Sequence, residues 1–107
     1  MYTKQVNDGY FRKVVTYDKR LKYCPYGSAG VIKSEDGSIH LCSYTTRVIS
    51  IDPEGLLECT GTYSATTRKH IGAFLKEYAP RLSYYDAKEA AATGCRINIH
   101  TGERVPA

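Results

Sequence analysis

The sequence predicts an α+β fold: a small antiparallel β-sheet of three to five strands, arranged as a meander and packed on one face by two α-helices. Three observations predict it. Short β-favouring runs are punctuated by Asp36-Gly37 and by Asp52-Pro53-Glu54-Gly55, both turn signals. Ile71, Phe74, Leu75 and Tyr78 recur at i, i+3, i+4 and i+7, the apolar face of a helix. Ser83-Tyr84-Tyr85-Asp86, then an alanine-rich run and Gly94, outline a second helix. With 107 residues the chain has the length of one domain, spanning 1–107, with one modest core.

Residues 1–28 form a basic, tyrosine-rich segment in which Tyr10 to Tyr17 is β-favouring without clean alternation, and Cys24 to Ser28 is a turn or loop. The meander occupies 29–63. Gly30 to Lys33 and Ile39 to Cys42 flank Asp36-Gly37 as a hairpin with a type I′ turn. Thr46 to Ile51 follows, with Ile49 and Ile51 on one face and Val48 and Ser50 on the other. Pro53 and Gly55 suit the next turn, and Leu56 to Tyr63 runs back. Ser64 caps a helix over 64–79, stopped by Pro80, and the second helix spans 83–93. Arg96 to His100 alternates as a short C-terminal strand within 95–100, ahead of a Thr101-Gly102 turn.

Composition excludes several functions. At 42% hydrophobic and 24% charged, the chain is that of a globular protein, not a disordered one. No stretch has membrane-spanning length and no apolar run follows Met1, so a cytoplasmic location without membrane contact is expected. Nucleotide-binding glycine loops, zinc-protease motifs and serine-hydrolase motifs are missing from the sequence, and no enzyme is expected. The four cysteines, Cys24, Cys42, Cys59 and Cys95, are expected as thiols in that compartment. They lack the tight pair of a structural zinc site. The nearest approach is His40 and Cys42 on one strand face, joined by Cys24. Zinc is therefore the one cofactor the composition leaves open, and no other is expected.

The net charge of +4 sits in residues 1–22, which carry six basic against two acidic side chains. Arg12, Lys13, Lys19, Arg20 and Lys22 are interleaved there with tyrosines and Phe11. Such a mixture can grip phosphates and stack bases, or meet an acidic protein surface. It is also what a solvated face of an amphipathic element looks like. A second cluster lies at the start of the first helix, where Tyr63, Arg68 and Lys69 surround a helix N-terminus whose free N–H groups and dipole favour an anionic group. These eight residues are the candidate partner contacts.

Two strings also carry a resemblance. Ser43-Tyr44-Thr45-Thr46-Arg47-Val48-Ile49, and Tyr63-Ser64-Ala65-Thr66-Thr67-Arg68-Lys69-His70-Ile71 running on to Leu75, resemble a pattern in small phage and mobile-element proteins of Gram-positive bacteria. In it a S-Y-x-T-x-V strand is followed by Y-S-x-T-T-x-x-H-I leading into a helix, with Arg68 and His70 at its basic and histidine positions. The resemblance covers residues 43–75 and implies a phage context in the host cell more than an activity. In that context the chain is expected to be an anti-CRISPR-type inhibitor that binds a host defence nuclease and blocks nucleic-acid loading or a conformational step. A small nucleic-acid-binding accessory protein is the alternative.

Overall fold

Three turns of the sheet fall on glycines with positive φ, Gly37, Gly55 and Gly102. The computed structural model describes residues 2–5, 14–17, 20–24, 29–44, 46–62 and 64–106, the first two ranges as backbone. Strands β1 (Tyr2–Gln5) and β2 (Val14–Tyr17) pair antiparallel as a separate two-stranded sheet, with β2 beside the first strand of the main one. That main sheet is an open antiparallel meander of six strands in chain order: β3 (Ala29–Lys33), β4 (Ile39–Ser43), β5 (Thr46–Ile51), β6 (Leu56–Cys59), β7 (Arg96–Asn98) and β8 (Arg104–Val105). Helices α1 (Ala65–Tyr78) and α2 (Tyr84–Thr93) are inserted between β6 and β7. The small α+β fold is the one expected, with the sheet extended to six strands by β8.

Two hairpins share one construction. Gly37 N–H donates to the Ser34 carbonyl at 3.0 Å and Gly55 N–H to the Asp52 carbonyl at 2.9 Å, each glycine having positive φ. Asp36 does not have positive φ, so the β3–β4 turn is not the expected type I′. It is a turn followed by one left-handed glycine, the three-residue hairpin loop. The Asp52 carboxylate secures the other loop by accepting the Glu54 and Leu56 N–H groups at 2.9 and 3.0 Å.

Register decides which side of each strand meets the helices. Leu41 pairs with Ile49, Ile49 with Cys59, Ile51 with Leu57 and Leu57 with Ile97, so these residues line one face. Against it pack Ile71, Ala73, Phe74 and Leu75 of α1 and Ala87 and Ala90 of α2. Each fully buried Leu, Ile or Phe there contributes about 1.5–3 kcal/mol. Val48 departs from the expected alternation. The register shifts by one residue between Leu41 and Cys42, and this β-bulge carries Val48 into the core with Ile49.

The helix ends follow their sequence signals. Ser64 Oγ accepts the Thr67 N–H at 3.2 Å, and Pro80 follows the last turn of α1. Before α2 the Asp86 carboxylate accepts the Ser83 N–H at 2.7 Å and the Ser83 hydroxyl at 3.2 Å; Gly94 ends the helix in the left-handed region. Strand β7 is shorter than the expected 95–100. The Asn98 side-chain oxygen takes the N–H groups of His100 and Thr101 at 2.8 and 3.1 Å, which folds the chain back towards β8 and places His100 in a turn.

Candidate functional site

Residues 20–24 make a tight reversal held by an antiparallel bridge between Leu21 and Cys24. Leu21 is fully buried, and anchoring it in the core leaves Lys22 and Tyr23 at the exposed tip. The Lys22 N–H donates to Glu77 Oε1 at 2.9 Å, which seats the tip on the last turn of α1. There the Tyr23 ring, 45% exposed, lies 4.4 Å from the Lys76 ammonium and 5.4 Å from that of Lys22. Such cation–π contacts stabilise by about 0.5–1 kcal/mol at exposed positions and hold both lysines beside the ring.

Lys76 also ends a strip along α1. Lys69, Gly72 and Lys76 are all exposed and stand at i, i+3 and i+7, one face of the helix opposite its buried face. Among the described residues nothing lies within 4 Å of where a Gly72 side chain would begin, so the middle of the strip is bare backbone. At 1.5 Å per residue the two lysines are about 10 Å apart along the helix. The result is a flat cationic strip bordered by a tyrosine, shaped to receive carboxylates or phosphates together with an apolar group.

The candidate contacts separate in space. Lys22 and Lys69 belong to this face, and Arg20 is exposed next to it in sequence. Arg68 turns away: its guanidinium sits 4.5 Å above the Tyr84 ring and joins the starts of the two helices. Arg12, Lys13, Lys19 and Tyr63 lie outside the described residues. Tyr23, Gly72 and Lys76 were not among the expected contacts, although the spacing 69, 72, 76 is legible as a helical face.

The patterned residues form a different assembly. Ser43 Oγ is 2.8 Å from His70 Nδ1 and 3.2 Å from Thr67 Oγ1, and Thr67 Oγ1 is 3.2 Å from Ser64 Oγ. Tyr44, in the left-handed region at φ 57°, sets its ring 6.1 Å from that of His70. A serine beside a histidine is the raw material of a nucleophile and its base. Here both are 2% exposed, so a substrate does not reach them. The network fastens the end of β4 to the first turns of α1.

On the helix-free face of the sheet, His40 is buried with Nδ1 2.7 Å from Ser50 Oγ and Nε2 2.7 Å from Ser34 Oγ. Arg47 donates to Ser50 Oγ at 2.6 Å and to Glu58 at 3.2 Å. Beside them Asp36, Ser38, Asp52, Glu58 and Arg96 line a polar groove of about 230 Å³. The Ser38 N–H holds the Asp36 carboxyl below its ordinary range. The expected zinc candidates do not gather. Both His40 ring nitrogens are bonded to hydroxyls, and among the described residues no three His, Cys, Asp or Glu side chains are grouped to hold a metal. Cys24, Cys42, Cys59 and Cys95 form no disulfide, and burial pushes the Cys59 thiol up. Among the described residues no helix is long and apolar enough to cross a membrane.

Residues 13–99 match a family described as a family of unknown function (DUF8033). Among curated proteins and among solved structures nothing matches the chain.

Proposed function

Because the chain belongs to DUF8033, a family of unknown function, its role is read from its own surface, and we propose that it is a non-enzymatic binding protein of the inhibitor type. It docks the strip Lys69, Gly72 and Lys76, with Lys22 and Tyr23, on an acidic surface of a bacterial defence nuclease such as a CRISPR-Cas effector. Docking there blocks nucleic-acid loading or a conformational step. The carrying observation is the strip itself: two ammonium groups held beside a half-exposed tyrosine from two separate segments, with a third, Lys69, exposed on the same helix face. Tyrosine is a side chain that the centres of protein interfaces favour, and lysines around it suit the charged rim that steers an acidic partner into place.

Magnitude favours a protein over nucleic acid as the partner of this strip. Three lysines neutralise about three phosphates, a salt slope near −2.7, where dedicated duplex binders make roughly six to ten such contacts. The groove on the sheet's other face is lined by Asp36, Asp52 and Glu58 against Arg96, so the surface does not carry one sign throughout.

The test is retention by the tagged protein of a panel of purified defence nucleases in high salt, with Lys69→Glu/Lys76→Glu as the comparison. The reading expects one nuclease retained and inhibited by the wild type, and released by the double variant, which still unfolds cooperatively. Nucleic acid held at low salt and washed off at high salt, with no nuclease retained, moves the assignment to the nucleic-acid accessory role.

A further inference from the structure

At the far end of α1 the chain turns through Pro80 and Arg81, and the β7–β8 turn comes up beside it. Tyr78, Pro80, Arg81, Ile99 and His100 surround a groove of about 600 Å³. That volume falls within the range of about 300–1,000 Å³ usual for small-molecule sites. None of these residues belongs to the lysine strip or to the network around Ser43.

The walls are held from behind. The Tyr78 ring stands 5.0 Å from that of Phe74, which is fully buried. His100 is placed by the Asn98 turn, and its ring lies across Gly55. A Cβ at Gly55 would come within 3.2 Å of His100 Cδ2 and Nε2, so the bare glycine, at φ +86°, leaves the imidazole its room. Arg81 and the His100 ring make no hydrogen bond or ion pair with the described residues, and both are exposed. The groove therefore combines an aromatic and aliphatic wall with two uncommitted nitrogen donors, one of them permanently cationic.

We propose that this groove binds a nucleoside monophosphate, its base against Tyr78, Pro80 and Ile99 and its phosphate on Arg81 and His100. A phosphate suits the donors better than a carboxylate. The guanidinium fork occupies two oxygens, and a phosphate monoester keeps a third for the imidazole. The carbonyl end of α1 opposes an anion with roughly half an elementary charge, less than the full charge of Arg81. Free nucleotides and the 5′-phosphorylated ends of oligonucleotides share this chemistry. The site stands independently of the inhibitor reading.

Calorimetric titration of the full chain with adenosine 5′-monophosphate, adenosine and inorganic phosphate tests it. The nucleotide is expected to bind at least about tenfold more tightly than either fragment, and Arg81→Ala to cost at least about tenfold with the melting temperature unchanged. A 5′-phosphorylated oligoadenylate that binds better than its 5′-hydroxyl form supports the site and assigns it to chain ends; equal binding of the two, beside tight mononucleotide binding, supports it for free nucleotides. Nucleotide binding no tighter than phosphate alone, or undisturbed by Arg81→Ala, overturns the proposal.

Discussion

Ser43 Oγ serves two buried partners at once, His70 Nδ1 and Thr67 Oγ1, and this makes a single hydroxyl matter out of proportion to its size. Its replacement by alanine leaves polar atoms of both partners short of a bond at a site closed to water, where an unsatisfied group costs about 1–3 kcal/mol. Ser43→Ala is therefore expected to lose about that much in urea unfolding. A loss below about 0.5 kcal/mol, the usual range of surface substitutions, would mean that water reaches the network. Ser43, Ser64, Thr67 and His70 are visible in the sequence as a recurring string, but their meeting is not. It depends on which side of β4 turns to the helix and on how α1 is rotated, and both follow from packing the Leu41 face against Ile71 and Phe74. Arg68 illustrates the same limit. One-dimensional reading places it with Lys69 as a surface cation, while the approach of α2 puts Tyr84 beneath it.

Among the elements, α2 supplements a small buried face with charge. Only Ala87 and Ala90 of its residues are buried, and small side chains contribute little apolar area. Asp86 compensates by capping Ser83 and by accepting from Arg104 at 2.6 Å, while Glu89 accepts from Arg104 at 2.9 Å, tying α2 to β8. Partial burial pushes the Asp86 carboxyl up, but the Ser83 N–H and hydroxyl and the Arg104 guanidinium outweigh it, and the group titrates below its ordinary value. The carboxylate pair correspondingly raises Arg104. A depressed folded-state pKa means that Asp86 contributes its stability above the unfolded-state value of about 3.9, and that the contribution fades as pH falls below it. Asp86→Asn is thus expected to lower stability by about 1 kcal/mol at neutral pH. Thermal melts of the two proteins should converge as pH drops through about 4 to 3. A gap that stays constant over that range would show that the carboxylate charge is not what holds α2. The Ser83–Asp86 cap and the Pro80 stop were legible because local chemistry dictates them. Strand β8 was not, since two residues, Arg104 and Val105, carry no period and depend on Asn98 turning the chain back.

For the molecule as a whole, the binding face and the core are joined through one side chain. Leu21 is fully buried in the main core, although its neighbours Arg20, Lys22 and Tyr23 are exposed. It lies outside both sheets, so among the described residues no strand pairing beyond the bridge to Cys24 holds it in place. Apolar contact with the core must do most of that work, and truncating it opens a cavity. Leu21→Ala is expected to cost about 2–5 kcal/mol, a large share of the about 5–15 kcal/mol that stabilises an ordinary domain. The same change should loosen the tip that Glu77 holds, so the Lys22 amide should exchange faster relative to amides of β4 and β5. Lys69→Glu/Lys76→Glu, which touches no core residue, should cost no more than the about 0.5–1 kcal/mol of the Lys76–Tyr23 contact while abolishing partner binding. Stability and binding then separate by residue: Leu21 governs the first and, through Tyr23, shapes the second, whereas the α1 lysines govern chiefly the second. Unfolding and amide exchange measured on both variants decide the matter. If Leu21→Ala costs under about 1 kcal/mol and leaves Lys22 protected, the 20–24 reversal is held by its contacts with Glu77 and Lys76 rather than by the core.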